Sequence, residues 1–352
     1  MHPFLFRLFR DNEAAVHELS YLFWECTTRC NLHCRHCGSD CTFAQREKDM
    51  PLQDFLGALD TIPADRRPRD FVVVLTGGEP LLRPDIDEAG REFRRRGLGW
   101  GLVSNGWFYD EAMQERLLRA GMGALTISLD GLQEAHDWMR GRPGSYERAL
   151  RAIDLCAREP RLNADVVTCV NRRNLAQLPE IHRILSGLGV KQWRLFTIIP
   201  IGRAARDPEM RLTPEQLRSL MDFIVACRRE GGAMKVTFSC EGFLGPYEER
   251  VRDNRFFCRA GVNIASVLID GRICACPNID RDRFCQGNIY EDNFFDVWEH
   301  RFQPFRNHDW ARRLEGPCAT CRQWKNCLGN GMHNWHADTL LQCHYSQLTE
   351  NI

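Results

Sequence analysis

The sequence lacks a net charge, a long apolar segment and an export signal. Lys plus Arg and Asp plus Glu are equal at 47 each among 352 residues, so bulk charge gives no indication of a nucleic-acid or acidic-membrane partner. No apolar run approaches the ~18 residues of a transmembrane helix. The first ten residues mix apolar and basic side chains without a small-residue cleavage site, which is not typical of a signal peptide. We therefore expect a cytoplasmic protein without a membrane span, with an N-terminal extension at 1–20 whose first ten residues form an amphipathic helix or strand packed on the body.

Cysteine, by contrast, is abundant, with 17 residues. Because the chain is not small and shows no export signal, metal binding explains this number of cysteines better than disulfides do. Cys30, Cys34 and Cys37 are separated by three and then two residues, so one loop can aim all three sulfurs at one point. Three thiolates are one fewer than an iron–sulfur cube or a structural zinc site normally has. A cube bound by these three cysteines would leave one iron free to bind an outside ligand. Cys26 and Cys41 flank the three, so a zinc site with four thiolates is an alternative.

Strand-like and helix-like segments alternate after this loop. The run of residues 71–75 is apolar and rich in β-branched side chains, which is typical of a strand buried on both faces of a parallel sheet. Six such strands alternate with helices, which predicts parallel βα units with right-handed crossovers. We expect strands at 21–24, 71–75, 100–103, 124–129, 164–170 and 193–199, and helices at 52–59, 85–96, 110–120, 145–158, 174–187 and 213–229.

Glycine and polar side chains follow three of these strands at their carboxyl ends. Residues 76–80 read Thr-Gly-Gly-Glu-Pro, residues 104–106 read Ser-Asn-Gly, and residues 128–131 read Ser-Leu-Asp-Gly. Each residue alone is typical of a turn or a cap, but successive strand ends share one rim, where barrel enzymes hold ligands. We expect Gly77 and Gly78 to let the backbone approach a ligand closely, with the Glu79 carboxylate beside it.

Together these features resemble the radical S-adenosylmethionine (SAM) superfamily. Cys30, Cys34 and Cys37 match its CxxxCxxC signature, and residues 77–80 match its GGEP motif. The resemblance implies an α/β fold with a partial (β/α)6 TIM-like barrel over residues 21–232. It also implies a [4Fe–4S] cluster whose open iron binds SAM, and reductive cleavage of SAM to a 5′-deoxyadenosyl radical that abstracts hydrogen from the substrate. The SAM-binding residues implied are Gly77, Gly78, Glu79, Pro80, Ser104, Asn105, Ser128, Asp130 and Arg140.

A second set of cysteines lies in residues 233–352, where short strands and turns replace the alternation. This small cysteine-rich α+β region resembles the SPASM extension of radical SAM enzymes and matches six of its seven cysteine positions. Gly331 stands at the seventh position, which normally completes the first auxiliary cluster. The matching residues are Cys258, Cys276, Cys318, Cys321, Cys327 and Cys343.

The resemblance implies two auxiliary [4Fe–4S] clusters. Two further cysteines lie near Cys276, and residues 274 and 276 face the same way on a strand. The predicted ligand sets are Cys258, Cys274, Cys276 and Cys285 for the first cluster, and Cys318, Cys321, Cys327 and Cys343 for the second. Cys240 is a spare candidate ligand. Because CxxC pairs also suit zinc, two zinc ribbons are the alternative.

SPASM enzymes that resemble this chain mostly modify peptides or proteins. The expected reaction is hydrogen abstraction from a peptide or small protein, giving a crosslink in a ribosomal peptide or an oxidised side chain, with flavodoxin or ferredoxin as external reductant. A tetrapyrrole-modifying enzyme of the haem-biosynthesis type is the alternative, with Arg194 or Arg203 binding ring propionates. A non-catalytic iron–sulfur electron-transfer protein is a third possibility. The sequence assigns no acid–base residue, and the candidates are Asp165, Glu241 and Tyr247.

Overall fold

The computed structural model describes residues 2–44, 48–239 and 241–349, so the spare candidate ligand Cys240 lies outside the described residues. The alternation read from the sequence is confirmed as a series of βα units preceded by an N-terminal helix. These elements are α1 (Pro3–Val16), β1 (Tyr21–Thr27), α2 (Leu52–Asp60), β2 (Val72–Gly77), α3 (Ile86–Arg95), β3 (Gly99–Ser104), α4 (Glu111–Arg119), β4 (Ala124–Ser128), α5 (Gln133–Arg140), α6 (Ser145–Ala157), β5 (Asn163–Cys169), α7 (Leu178–Gly187), β6 (Gln192–Phe196) and α8 (Pro214–Glu230).

The sheet extends beyond the six predicted strands on both sides. Strand β7 (Lys235–Phe238) pairs in parallel with β6, and β8 (Ile264–Val267) pairs in parallel with β1. Strands β9 (Arg272–Cys274) and β10 (Cys285–Asn288) continue past β8 as antiparallel neighbours. The order of the strands is β10-β9-β8-β1-β2-β3-β4-β5-β6-β7. Residues on both sides of the predicted boundary at 232/233 therefore share one sheet, and that boundary stays a prediction.

The C-terminal part consists of short helices and one small hairpin, as its irregular sequence predicts. Strands β11 and β12 form that antiparallel hairpin. The elements are α9 (Glu248–Val251), α10 (Arg281–Phe284), α11 (Phe294–His300), α12 (Gln303–Arg306), α13 (Asp309–Arg313), α14 (Trp324–Cys327), β11 (Trp335–His336), β12 (Thr339–Leu340) and α15 (His344–Thr349).

The two faces of the barrel strands differ in burial. Ile127 and Trp193 are both 0 % exposed because they pack under the helices. Thr126 and Arg194, which alternate with them, are half-buried. Since alternate residues of a strand point to opposite faces, the second face borders an accessible space, as expected of an open barrel.

The helix ends follow local sequence signals. Thr213 caps α8 by accepting a hydrogen bond from the Gln216 amide, and the Gln216 side chain accepts one from the Thr213 amide. This reciprocal arrangement satisfies two backbone donors that a helix start leaves without partners. The N-terminal segment adopts the helical alternative, α1. Among the described residues, no helix is both long enough and apolar enough to cross a bilayer.

Candidate functional site

The loop that carries Cys30, Cys34 and Cys37 leaves β1 at its carboxyl end and closes on itself. The Cys30 amide donates to the Thr42 carbonyl at 2.9 Å, next to a bridge between Arg29 and Thr42. Cys30 and Cys34 are each 8 % exposed, and Cys37 is half-buried against the same small cluster. The structure therefore brings the three predicted thiols together at the carboxyl rim of the sheet.

Two side chains from other elements direct N–H groups at these sulfurs. Asn105 Nδ2, at the end of β3, lies 3.9 Å from Cys30 Sγ, and an Arg140 guanidinium nitrogen, at the end of α5, lies 3.7 Å from Cys34 Sγ. Asn105 Nδ2 also donates to Asn31 Oδ1 at 2.9 Å. N–H donors stabilise negative charge on sulfur and adjust the potential of a cluster bound through it. Both donors come from the predicted SAM-binding set.

The protonation of these thiols depends strongly on burial. Burial raises the pKa of Cys30 to about 12 and also raises the pKa of Cys34. The pKa of Cys37 is lowered to about 6, chiefly by a hydrogen bond from the Cys41 thiol. Cys30 and Cys34 would thus be protonated at neutral pH without a compensating cation. A bound cluster supplies that positive charge, so the donor set fits a metal group.

The arrangement does not match a mononuclear metal site. Within residues 2–44, 48–239 and 241–349, no three or more His, Cys, Asp or Glu side chains are grouped closely enough to hold a single ion. In an iron–sulfur cube each thiolate binds a different iron, so its ligand sulfurs stand farther apart than the ligands of one zinc ion. The four-thiolate zinc alternative therefore has no assembled site here.

Gly77 and Gly78 make a close approach to the chain's own backbone. The Gly78 amide donates to the Thr27 carbonyl at 2.7 Å, and the Glu79 amide donates to the Arg29 carbonyl at 2.8 Å. A Cβ atom on Gly77 would lie 2.2 Å from the Thr27 oxygen, and one on Gly78 would lie 2.1 Å from the Arg29 oxygen. The observed reason for both glycines is thus the docking of the cysteine loop, whereas their predicted contact with SAM stays a prediction.

Glu79 connects the rim ends of β2 and β3. Its carboxylate is 1 % exposed and accepts hydrogen bonds from Ser104 Oγ at 2.9 Å, the Asn105 amide at 2.8 Å and the Leu81 amide at 3.1 Å. Burial raises its pKa to about 7, although these hydrogen bonds oppose the rise. Pro80 starts the short turn that follows and is buried. This network positions Ser104 and Asn105, and it leaves the predicted role of Glu79 toward the SAM amino group untested.

Asp130 and Arg140 form a buried ion pair at the next part of the rim. An Arg140 guanidinium nitrogen lies 2.5 Å from Asp130 Oδ2, and Asp130 is 0 % exposed. The other carboxylate oxygen accepts a hydrogen bond from the Cys169 amide at 2.8 Å. Arg140 Nε is buried without a hydrogen-bond partner in the described part of the chain. Ser128, at the end of β4, is 8 % exposed at the same edge. Asp130 already balances the charge of Arg140. The predicted contact of Arg140 with a SAM carboxylate stays a prediction.

The two arginines considered for propionate binding are also paired. Arg194 contacts the Asp165 carboxylate and donates to Thr126 Oγ1 at 3.2 Å. Arg203 donates to Asp40 at 2.7 Å and to the Cys34 carbonyl at 2.7 Å. Arg203 therefore holds the cysteine loop in place.

A polar cluster at the rim ends of β6 and β7 was not indicated by any sequence motif. Glu241 accepts hydrogen bonds from the Thr197 amide at 2.5 Å and the Thr197 hydroxyl at 2.6 Å, and His344 Nε2 lies 2.8 Å from that hydroxyl. Burial raises the pKa of Glu241 to about 8. No sequence signal placed Thr197 here, because the predicted strand 193–199 ran past it, whereas β6 ends at Phe196. Of the other acid–base candidates, Asp165 is ion-paired and Tyr247 donates to Asp222 at 2.8 Å.

The cysteines predicted for the second auxiliary cluster lie close together. The pKa of Cys318 is raised to about 11 by burial and by the charges of Cys343 and Cys321. Burial and the same neighbours raise the pKa of Cys327. The Asn330 side chain donates to the Gln342 carbonyl at 2.8 Å, which ties the segment after Cys327 to the one that carries Cys343. The four thiols are therefore within electrostatic reach of one another.

The first predicted quartet is arranged differently. Cys274 and Cys285 face each other across the β9–β10 pair, with their Cα atoms 4.2 Å apart. Two members of the predicted quartet are therefore close together, and their assignment as cluster ligands stays a prediction. Cys258 instead lies against another segment, where its sulfur accepts a hydrogen bond from the Met332 amide at 3.5 Å.

Comparisons with known proteins agree with the site geometry. The radical SAM superfamily profile matches residues 24–185, and the profile of the SPASM iron–sulfur cluster-binding domain matches residues 258–322. The chain is 27 % identical over 321 residues to the AdoMet-dependent heme synthase of Methanosarcina barkeri, which covers 87 % of this chain and 89 % of that protein. It is 29 % identical over 331 residues to the mycofactocin maturase MftC of Mycolicibacterium smegmatis, covering 93 % and 81 %. The crystal structure of Streptococcus suis SuiB bound to precursor peptide SuiA has the same fold, with a TM-score of 0.69, 15 % identity and coverage of 92 % and 73 %.

Proposed function

Since this chain belongs to the radical SAM superfamily and carries a SPASM domain, we propose that it abstracts a hydrogen atom from a peptide or small protein. Its cofactors are SAM and [4Fe–4S] clusters. The cluster at Cys30, Cys34 and Cys37, when bound, supplies the electron that cleaves SAM to the 5′-deoxyadenosyl radical. The observation that carries the proposal is the packing of these three thiols into one buried cluster at the carboxyl rim of the sheet.

The residues around the cluster have roles that follow from their contacts. Asn105 and Arg140 direct N–H groups at Cys30 and Cys34 and so favour the thiolate forms. Asp130 balances the charge of Arg140 and fixes its orientation. Glu79 holds the end of β3, from which Asn105 projects. These side chains keep the cysteine loop in one conformation before SAM binds, which lowers the cost of binding.

A peptide substrate is supported by two observations. The relative MftC is named a maturase, and its similarity extends over 93 % of this chain. The face of the strands that carries Thr126 and Arg194 is half-buried, so the barrel interior is accessible to a substrate segment. We assign residues 1–20 to an N-terminal extension, 21–232 to the barrel and 233–352 to the SPASM domain.

A tetrapyrrole substrate is the second candidate. It is favoured by the similarity to an AdoMet-dependent heme synthase, which extends over 87 % of this chain. The ion pairs of Arg194 with Asp165 and of Arg203 with Asp40 oppose it, because both arginines proposed for propionate binding are already neutralised. The non-catalytic electron-transfer alternative has no support, since the relatives are named as enzymes.

The cellular setting is part of the proposal. The abundance of cysteine at metal-binding spacings supports a reducing cytoplasm. A flavodoxin or a ferredoxin would then supply the electron for SAM cleavage.

The test uses the anaerobically reconstituted enzyme with SAM and dithionite. Peptides encoded next to the gene and an iron tetrapyrrole with free propionates are supplied separately. We expect the peptide to increase 5′-deoxyadenosine formation and to lose hydrogen in its mass spectrum. A change in the mass of the tetrapyrrole, with every peptide unchanged, would transfer the assignment to the second candidate.

A further inference from the structure

The position where the SPASM pattern lacks a cysteine is filled by a neighbouring side chain. A Cβ atom on Gly331 would lie 2.6 Å from Cε1 of His333, 3.0 Å from its Nδ1 and 3.2 Å from its Nε2. The imidazole therefore occupies the volume that the side chain of a residue at 331 would take. It brings two nitrogen donors to the place where the pattern requires a sulfur.

The same segment contacts a predicted ligand of the first auxiliary cluster. The Met332 amide, between Gly331 and His333, donates to Cys258 Sγ at 3.5 Å. A Cβ atom on Gly261 would lie 3.6 Å from Cβ of Ala275, so the chain after Cys258 packs against the residue before Cys276. The segments of Cys258, Cys276 and His333 are thus neighbours in the fold.

The imidazole is held in a way that suits a metal ligand. The His333 ring contacts the backbone carbonyl of Glu241, and its Nε2 lies 3.3 Å from Asn334 Nδ2. Metal-bound histidines usually donate their second ring N–H to a carbonyl or carboxylate, which fixes the tautomer and the ring orientation. The Asn334 side chain donates to the same carbonyl at 2.5 Å and keeps it in place.

We propose that His333 replaces the missing cysteine as a ligand of the first auxiliary cluster, together with Cys258 and Cys276. This deepens the proposed function, because it rests on the presence of two auxiliary clusters. Cys274 and Cys285, which face each other across β9 and β10, stay the candidates for its fourth ligand. A neutral imidazole in place of a thiolate also makes the cluster easier to reduce, since histidine ligation raises cluster potentials.

The test is carried out in a Cys30/Cys34/Cys37→Ala background, in which the auxiliary clusters account for all of the iron. We expect about eight irons per chain and, in pulsed electron paramagnetic resonance of the reduced protein, a coupling from a directly bound nitrogen. His333→Ala should lose that coupling. His336→Ala is the matched control, because His336 is an exposed histidine of the same segment and lies 3.1 Å from Asp280; it should keep the coupling.

A rescue variant separates loss of a ligand from loss of folding. Gly331→Cys/His333→Ala should contain the full auxiliary iron, show no bound nitrogen and have a lower reduction potential than the background. About eight irons without nitrogen coupling in the background, or a coupling that persists in His333→Ala, would overturn the ligand assignment and leave the two clusters standing. About four irons in the background, without nitrogen coupling, would overturn both the ligand assignment and the first auxiliary cluster.

Discussion

At the scale of single residues, the buried pair Asp130–Arg140 has a large expected effect on stability. The two side chains are 0 % and 9 % exposed, and removal of one partner leaves an uncompensated charge in a site that excludes water. We predict that Asp130→Ala lowers the free energy of unfolding by ~3–5 kcal/mol, measured by thermal denaturation of the holoenzyme.

The matched control for this prediction is Glu111→Ala, which breaks an exposed ion pair with Arg151. Exposed ion pairs contribute little to stability because water screens them. This variant should therefore unfold at the same temperature as the wild type. Equal melting temperatures for Asp130→Ala and Glu111→Ala would mean that the Arg140 charge is balanced in some other way.

Glu241 makes stability depend on pH. Burial raises its pKa from 4.5 to about 8, so the folded state retains a proton that the unfolded state has lost. The stabilisation of the folded state that this proton provides is fully present below about pH 4.5 and is lost as the pH rises toward 8. The loss in unfolding free energy is on the order of a few kcal/mol.

The variant Glu241→Gln tests this dependence, because its amide oxygen can still accept both hydrogen bonds from Thr197. We predict that it lacks the decrease in unfolding free energy between pH 5 and pH 8 that the wild type shows in denaturant titrations. Identical pH profiles for the two proteins would place the titrating group elsewhere.

At the scale of elements, the end of β2 and the cysteine loop form one unit through two glycines. A Cβ atom on Gly78 would lie 2.1 Å from the Arg29 oxygen, so Gly78→Ala must displace the backbone that leads into Cys30. We predict that this variant loses about four of about twelve irons, since the auxiliary clusters are not involved.

Gly57→Ala in α2 is the control for Gly78→Ala. A Cβ atom there meets nothing within 4 Å, so the alanine should keep all the iron and stabilise the helix by ~0.5–1 kcal/mol. Full iron content in Gly78→Ala would show that the loop can hold its cluster without this backbone contact.

The elements differ in how far the sequence predicts them. The buried strands and their helices are confirmed, because apolar continuity and helical spacing are local signals. Strand β8 was missed, since its parallel partner β1 lies more than two hundred residues earlier in the chain and no local pattern encodes such pairing. The contacts of Gly78 with Arg29 and of Arg140 with Asp130 were missed for the same reason: they depend on which loops meet at the rim.

At the scale of the whole molecule, the two halves of the chain contain separate groups of candidate cluster ligands. Cys327 belongs to the group that also contains Cys318, Cys321 and Cys343, far in sequence from the Cys30–Cys37 loop. We predict that Cys327→Ala reduces the iron content from about twelve to about eight per chain.

Cys156→Ala serves as the control for this loss. Cys156 is 3 % exposed in the core under the barrel helices, where its thiol donates to the Ile153 carbonyl, so the variant should keep all its iron. A comparable loss in Cys156→Ala would indicate that reduced stability, rather than loss of a ligand, lowers the iron content.

The most direct test of the account is the iron and sulfide content per chain, with 5′-deoxyadenosine formation, of the wild type and of Cys30/Cys34/Cys37→Ala after anaerobic reconstitution. We predict about twelve irons in the wild type and about eight in the variant, with 5′-deoxyadenosine formed from SAM and reductant by the wild type alone. Zinc in place of iron, or equal 5′-deoxyadenosine formation by both proteins, would contradict the assignment of the SAM-binding cluster to these three cysteines.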